Sequence, residues 1–238
     1  MLDLHCHILP GIDDGARSLD EALAMARFCV QDGITHITAT PHCHHHIHLL
    51  RADILPHVAA FNEELARANI PLTILPGSEV RVTTTAEYRR EFDLFCHLGD
   101  GRAFTLLEFA WQEERYPTDA PKLIRWLRGQ GMTPIIAHPE RQSYFSDDPA
   151  RLRQLVDEGA WLQVTVDSLL GQHGSLPQSD GEKLLEEYAE IVLSTDAHNL
   201  RRCSGLSPGY DWVQRRFGAE KASELRARSD QVLSALVG

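Results

Sequence analysis

The sequence is poor in cysteine, in long apolar runs and in positive charge. Its five cysteines form no Cys-x-x-Cys pair, which argues against a disulfide framework or a thiolate zinc site. No apolar run approaches the roughly 20 residues that span a bilayer, so we expect no direct membrane insertion. Asp3, His5 and His7 interrupt the apolar residues of the N-terminus, unlike in a signal peptide. We therefore expect a cytoplasmic protein.

The net charge of -11 argues against a nucleic-acid partner, because phosphate backbones are bound mainly by clustered lysine and arginine. A phosphate substrate would need bound cations to supply the positive field. The 238 residues include 43% hydrophobic and 24% charged residues, an ordinary globular composition. This length suits an α/β barrel, so we expect one domain over residues 1–238.

Short apolar runs alternate with longer segments of helical periodicity, the pattern of β/α units around a parallel sheet. We predict seven strands, at residues 1–4, 34–39, 72–75, 105–109, 133–137, 161–166 and 191–194. Helices are predicted at residues 18–31, 53–68, 121–128, 149–158, 181–189, 210–216 and 219–236. Ser18 and Glu21 suit a capping box at the start of the first helix. Residues 42–51, rich in histidine, are predicted to form a loop over the site.

Residues of metal-ligand type follow successive predicted strands. They are His5, His7, His42, Glu79, Glu108, His138, Asp196 and His198. The C-terminal strand ends of a β/α barrel meet on one face, where active sites are built, so this distribution favours a barrel over an open sheet. His5 and His7 lie two residues apart on an extended segment, so they share a face and suit one ion.

Imidazole and carboxylate without thiolate suit Zn, Mn or Fe(II). This many ligands exceed the coordination number of one ion, so we predict two or three ions, with carboxylates such as Glu79 bridging them. Such clusters activate water and clamp the oxygens of an in-line displacement, which predicts phosphoester hydrolysis. Arg141 is placed either to hold a phosphoryl oxygen or to pair with Glu140.

Six segments carry a resemblance to the PHP (polymerase and histidinol phosphatase) family, in its bacterial tyrosine-phosphatase branch of capsule and exopolysaccharide synthesis. They run nearly end to end: DLHCHILPGIDDG at 3–15, ATPH at 39–42, GSEVR at 77–81, LEF at 107–109, AHPER at 137–141 and STDAHN at 194–199. The resemblance implies a distorted, TIM-like (β/α)7 barrel of parallel strands with outer helices. It also implies a trinuclear site that manganese usually activates.

The resemblance further implies a role for each ligand. His5, His7, Glu79 and Asp196 would hold one ion, Glu79, Glu108 and His138 a second, and Asp14, His42 and His198 a third. Asp14 and Arg141 would serve catalysis, unless Asp14 caps the turn before Ser18. A second phosphate-binding arginine is expected near Arg202, although Arg201 and Arg202 come slightly earlier than counting predicts, with Cys203 at that place. The implied substrate is phosphotyrosine in the tail of a membrane-bound tyrosine autokinase.

Other interpretations are compatible with the sequence. A histidinol-phosphate phosphatase would share the metal core, whereas a noncatalytic metal-binding module would need no open site. Cys96 and Arg102 match the Cys-x5-Arg pattern of thiol-dependent phosphatases, but their segment leads into a strand rather than following one. Four aromatic residues either stack on a phosphotyrosine ring or pack the barrel rim: Trp111, Tyr116, Tyr144 and Phe145. A homo-oligomer is compatible with the sequence.

Overall fold

Seven parallel strands, two of them interrupted, form the wall of the fold in a computed structural model that describes residues 1–109 and 116–238. The strand segments are β1 (Leu2–Cys6), β2 (His36–Ala39), β3 (His42–Cys43), β4 (Thr73–Pro76), β5 (Glu79–Val82), β6 (Phe104–Phe109), β7 (Thr133–Ala137), β8 (Trp161–Thr165) and β9 (Ile191–Ser194). Only Thr40 and Pro41 separate β2 from β3, and only Gly77 and Ser78 separate β4 from β5. The nine segments therefore make seven strands.

The strands close into a distorted barrel. The hydrogen-bonded orders are β1-β2-β4 and β3-β5-β6-β7-β8-β9, and all seven pairings are parallel. The two sheets are joined because β2 of the first continues into β3 of the second, and β4 of the first continues into β5 of the second. At the other seam, the amide of Asp196 donates to the carbonyl of His5 at 2.9 Å, and that of His7 to Ala197 at 2.8 Å. The expected (β/α)7, TIM-like barrel with parallel strands is confirmed.

Helices follow the strands along the chain and pack outside them. They are α1 (Leu19–Gln31), α2 (Arg51–Arg67), α3 (Thr85–Glu91), α4 (Ala120–Gly129), α5 (Ser143–Asp147), α6 (Pro149–Asp157), α7 (Val166–Leu169), α8 (Ser175–Glu187), α9 (Ser207–Phe217) and α10 (Ala219–Val237). Within the described ranges, none of them is both long enough and apolar enough to cross a membrane.

The start of α1 differs in detail from the expected capping box. Ser18 Oγ accepts from the amide of Glu21 at 3.3 Å, as predicted. The Glu21 carboxylate accepts from the amide of Arg17 at 3.0 Å rather than from that of Ser18. The helix therefore begins where the sequence indicates, with the return hydrogen bond displaced by one residue.

Apolar side chains fill the barrel and leave its polar residues at one end. One buried cluster joins residues from four strands, among them Leu4, Leu106, Ile135 and Val192, with Val232 of α10. A larger cluster packs helices against strands. The polar side chains gather where the strands end, so the core holds them on a fixed frame.

Candidate metal centre

Histidines and carboxylates from the strand ends meet in one place. Four groups have ligand atoms that all lie within 4.8 Å of one another: His5, His7 and Asp196; His5, Glu79 and His138; His42, Glu79 and Glu108; and His7, Asp14, His42 and His198. The structure thus brings together all nine residues that the sequence and the resemblance singled out as ligands. Each group can hold a metal ion.

The group of His5, His7 and Asp196 has the spacing of a metal coordination shell. The two Nε2 atoms lie 3.2 Å apart, and Asp196 Oδ1 lies 3.3 Å from that of His5 and 3.4 Å from that of His7. Ligands about 2.0–2.1 Å from a tetrahedral ion are about 3.3 Å apart. These atoms therefore fit around one cation without rearrangement.

Asp14 joins His42 and His198 in the same manner. Its Oδ1 lies 3.3 Å from His42 Nε2 and 3.4 Å from His198 Nε2. In the turn before the helix at Ser18, where Asp14 was the alternative cap, Asp13 Oδ1 accepts from the amide of Gly15 at 3.0 Å. The Asp14 side chain is 57% exposed, which places it at the open side of the centre.

Glu79 lies between the groups. Its Oε1 is 2.9 Å from His138 Nε2 and 3.5 Å from His5 Nε2, while Oε2 is 2.8 Å from His42 Nδ1. Glu79 Oε2 and His42 Nδ1 are both buried, and neither atom has a hydrogen-bond partner of acceptable geometry. Burial alone would raise the pKa of Glu79, but His5 and His42 hold it well below its usual range. Glu79 therefore belongs to two of the candidate metal-binding groups.

Each of three site histidines turns one ring nitrogen toward an acceptor behind it. His5 Nδ1 lies 2.9 Å from Gln163 Oε1, His7 Nδ1 2.7 Å from Asp13 Oδ2, and His198 Nδ1 2.9 Å from the carbonyl of Asp196. A proton on Nδ1 leaves Nε2 as the nitrogen available to a metal. The sequence analysis assigned no role to Asp13 or Gln163, although Gln163 stands out as a polar residue inside the apolar strand β8.

The backbone is strained at two of the ligands. His138, after β7, has φ 33° and ψ 53°, and Asp196, after β9, has φ 51°. Left-handed backbone is uncommon for residues other than glycine and is typical of functional sites. Both positions lie just after the end of a strand, at the barrel mouth.

Two arginines reach the centre. Arg141 Nη1 pairs with Oδ2 of Asp196, and Arg202 Nη2 lies 3.6 Å from the same oxygen. Glu140 Oε1, by contrast, accepts from the Thr165 amide and the Ser168 hydroxyl. Arg141 and Arg202 line one cavity with Asp14, His42, His138 and His198. His44 and Ile47, from the predicted histidine-rich loop, line it too.

The charge pattern also fits cations. Burial lowers the pKa of His7, but the neighbouring Asp13 carboxylate outweighs burial and raises this pKa to about 10. Burial also lowers the pKa of His42, but Glu79 and Asp14 raise it to about 11. Carboxylates that draw protons onto buried imidazoles can draw divalent cations instead. Metal binding at these histidines therefore displaces protons.

The thiol alternative fails on geometry. Cys96 is fully buried, and burial raises the pKa of its thiol to about 12, the opposite of an activated thiolate. Arg102 is turned away to pair with Asp93 on the surface. Cys96 precedes a strand and does not form a phosphate-binding loop.

The aromatic residues considered for ring stacking pack with one another. Tyr116 stacks on Phe109 with ring centroids 5.6 Å apart, Phe145 packs edge-on to Phe109 at 5.5 Å, and Tyr144 lies 5.8 Å from Tyr116. These contacts favour the rim-packing alternative. Trp111 lies outside the described residues.

Fold and site together define a parallel β/α barrel with several candidate metal-binding groups at its C-terminal face, the arrangement of metal-dependent hydrolases. The chain belongs to the family described as "Capsular polysaccharide synthesis, CpsB/CapC", whose model matches residues 1–233. This membership confirms the resemblance to the bacterial tyrosine-phosphatase branch.

Similar proteins agree with this membership. Tyrosine-protein phosphatase YwqE of Bacillus subtilis is 32% identical over 98% of this chain and 91% of its own length. Tyrosine-protein phosphatase CpsB of Streptococcus pneumoniae is 28% identical over 94% of each chain. A solved structure of the YwqE and CpsB study, which describes "unique metal-dependent tyrosine phosphatases", matches with a TM-score of 0.91 at 32% identity, covering 98% of this chain and 94% of that one. An organophosphorus hydrolase from Deinococcus radiodurans, 16% identical over 96% of this chain and 90% of its own with a TM-score of 0.52, shares the fold alone.

Proposed function

We propose that this chain is a metal-dependent protein-tyrosine phosphatase that acts as a single domain over residues 1–238. The observation that carries the proposal is the set of ligand groups beside Arg141 and Arg202 in one open cavity. Similarity to YwqE and CpsB supports phosphotyrosine as the substrate class. A noncatalytic module would have no use for cationic side chains at an accessible metal centre.

We assign three ions to the ligand sets that the family resemblance implies, which combine residues of the four groups. His5, His7, Asp196 and Glu79 would hold the first, Glu79, Glu108 and His138 the second, and Asp14, His42 and His198 the third. Mixed nitrogen and oxygen donors suit Mn, Zn or Fe(II), and we propose Mn. When bound, such ions activate water near neutral pH and stabilise negative charge on phosphoryl oxygens.

The protein's own groups bind and orient the substrate. The Arg141 side chain is mostly buried and can exchange its Asp196 contact for phosphoryl oxygens, offering two parallel N–H donors. Arg202 is more exposed and would assist from the edge of the cavity. His198 and His42 hold the pKa of Asp14 well below its usual range, so Asp14 stays ionised and serves catalysis as a ligand at the substrate side.

The physiological substrate is proposed to be the phosphorylated tail of a membrane-bound tyrosine autokinase, dephosphorylated in the cytoplasm. All five cysteines are free thiols, which supports a reducing compartment. We further propose that the protein forms a homo-oligomer. Light scattering of the metal-loaded protein tests this by measuring its molar mass in solution.

Substrate selectivity tests the proposed function. Mn-loaded protein is given a phosphotyrosine peptide, the matched phosphoserine peptide and histidinol phosphate, and kcat/KM is measured for each. We expect the phosphotyrosine peptide to be preferred by at least tenfold. Preference for histidinol phosphate would reassign the substrate to a small monoester, and no turnover of any of the three would contradict a phosphatase.

A further inference from the structure

Arg81 lies at the candidate metal centre, and it is neither one of the nine ligand residues nor one of the two arginines assigned to the phosphoryl group. It stands on β5, two residues after Glu79, so both side chains point to the same face of the strand. In the parallel pairing of β5 with β6, Arg81 is the register partner of Glu108. Arg81 also lines the cavity that contains Arg141 and Arg202.

The contact between Arg81 and Glu108 is close and shielded from solvent. Arg81 Nε donates to Glu108 Oε2 at 2.8 Å, and Nη2 donates to the same oxygen at 2.7 Å. The two side chains are only 12% and 1% exposed. A charge-assisted, two-donor contact at this burial holds a carboxylate in one orientation.

Glu108 and Asp196 divide their oxygens in the same way. Asp196 presents Oδ1 to His5 and His7, while Oδ2 faces Arg141 and Arg202. Glu108 presents Oε1 toward His138 Nε2, 3.9 Å away, while Oε2 is taken by Arg81. In each carboxylate one oxygen faces the imidazoles and the other an arginine.

We propose that Arg81 is a positioning residue for the metal centre. By holding Oε2 of Glu108, it would leave Oε1 as the oxygen available to an ion held together with Glu79 and His138. The inference rests on the ligand sets of the proposed function, but it concerns metal binding rather than the substrate. Removal of such an outer partner typically weakens metal binding about 10- to 100-fold.

Metal binding measured without substrate tests this role. Wild type, R81Q and R81K are titrated with Mn against a chromophoric chelator, and bound ions per chain are counted by elemental analysis. We expect R81Q to bind one ion about 10- to 100-fold more weakly while the others remain, and R81K to lose less, because it keeps the charge but cannot reproduce both contacts. R90Q is the matched control: Arg90 is a nearby arginine that contacts Glu91 instead.

A double-mutant comparison separates action through Glu108 from a general charge effect. In the E108Q background, R81Q is expected to cause no further loss of Mn affinity. Wild-type Mn binding by R81Q, or an equal loss in both backgrounds, would overturn the proposal. Melting curves report folding, and if R81Q does not fold, R81K decides by the same criteria. If the Mn affinities change as expected but the protein does not hydrolyse phosphotyrosine, only the proposed function is refuted.

Discussion

Asp13 Oδ2 lies 2.7 Å from Nδ1 of His7, behind the ring whose Nε2 faces Asp196. The same carboxylate accepts from the amides of Gly15 at 3.0 Å and His42 at 3.3 Å. Asp13 therefore fixes the orientation of one ligand and the backbone of another. It is also the residue next to Asp14, so the loop after β1 supplies both a ligand and a support for a ligand.

Replacing Asp13 with alanine is expected to weaken Mn binding about 10- to 100-fold, because His7 loses the partner that sets its tautomer. Competition with a chelator measures the change. D20A is the matched control, since it removes a neighbouring acidic side chain that lies in the first turn of α1. Equal Mn affinity for D13A and wild type would show that His7 needs no such support.

Replacing Arg141 with glutamine is expected to lower kcat/KM for a phosphotyrosine peptide by about 10²- to 10³-fold, because a fixed donor to the phosphoryl oxygens is lost. R202Q should lose less, since Arg202 is more exposed and farther from Asp196. R201Q, on the exposed neighbouring residue, serves as control. If R141Q instead lost bound Mn in proportion to activity, Arg141 would act by holding Asp196.

His97 should make stability depend on pH. Burial lowers its pKa from 6.5 to about 4, so the unfolded chain binds a proton more tightly than the folded one. The stability that neutral His97 provides is therefore complete above pH 6.5 and is lost as pH falls toward 4, by about 3 kcal/mol. Its ring contacts Thr105 Oγ1 and the Phe92 carbonyl, each at 3.0 Å.

Urea unfolding of metal-free wild type and H97Q between pH 4 and 7 measures this effect. The difference in unfolding free energy between them should shrink as pH falls. H57Q, which alters an exposed histidine, should follow wild type across the range. A difference between H97Q and wild type that stays constant with pH would contradict the assignment.

Cys96 should be dispensable for catalysis. Its buried thiol has a raised pKa and lies in the segment leading to β6, so C96S in folded, Mn-loaded form should keep its turnover of phosphotyrosine peptide within about threefold of wild type. Loss of activity in such a protein would restore the thiol mechanism.

Hydrophobic periodicity predicted the alternation of strands and helices, and the polar ligands that follow the strands favoured a barrel over an open sheet. The continuation of two strands was not predictable: Pro41 and Gly77-Ser78 look like strand ends, yet pairing resumes at once and aligns His42 with Glu79 across β3 and β5. The helices α5 and α7 are too short to show a helical period.

Part of the site depended on contacts that are remote in sequence. Gln163 contacts His5, which is 158 residues away in the sequence. Arg81 contacts Glu108 on the neighbouring strand. Both Gln163 and Arg81 lie within strands, and the sequence around each of them does not indicate which residue it contacts. The ligands were recognisable by residue type and place, whereas their supports became visible only in the folded arrangement.

The most direct test of a metal-dependent phosphatase is to strip the protein of metal, confirm that it remains folded, and follow hydrolysis of a phosphotyrosine peptide as Mn is added back. The account predicts no turnover without metal, and activity that rises with bound Mn to a plateau at two or three ions per chain. Undiminished turnover by the folded, metal-free protein, or none after full loading, would contradict it.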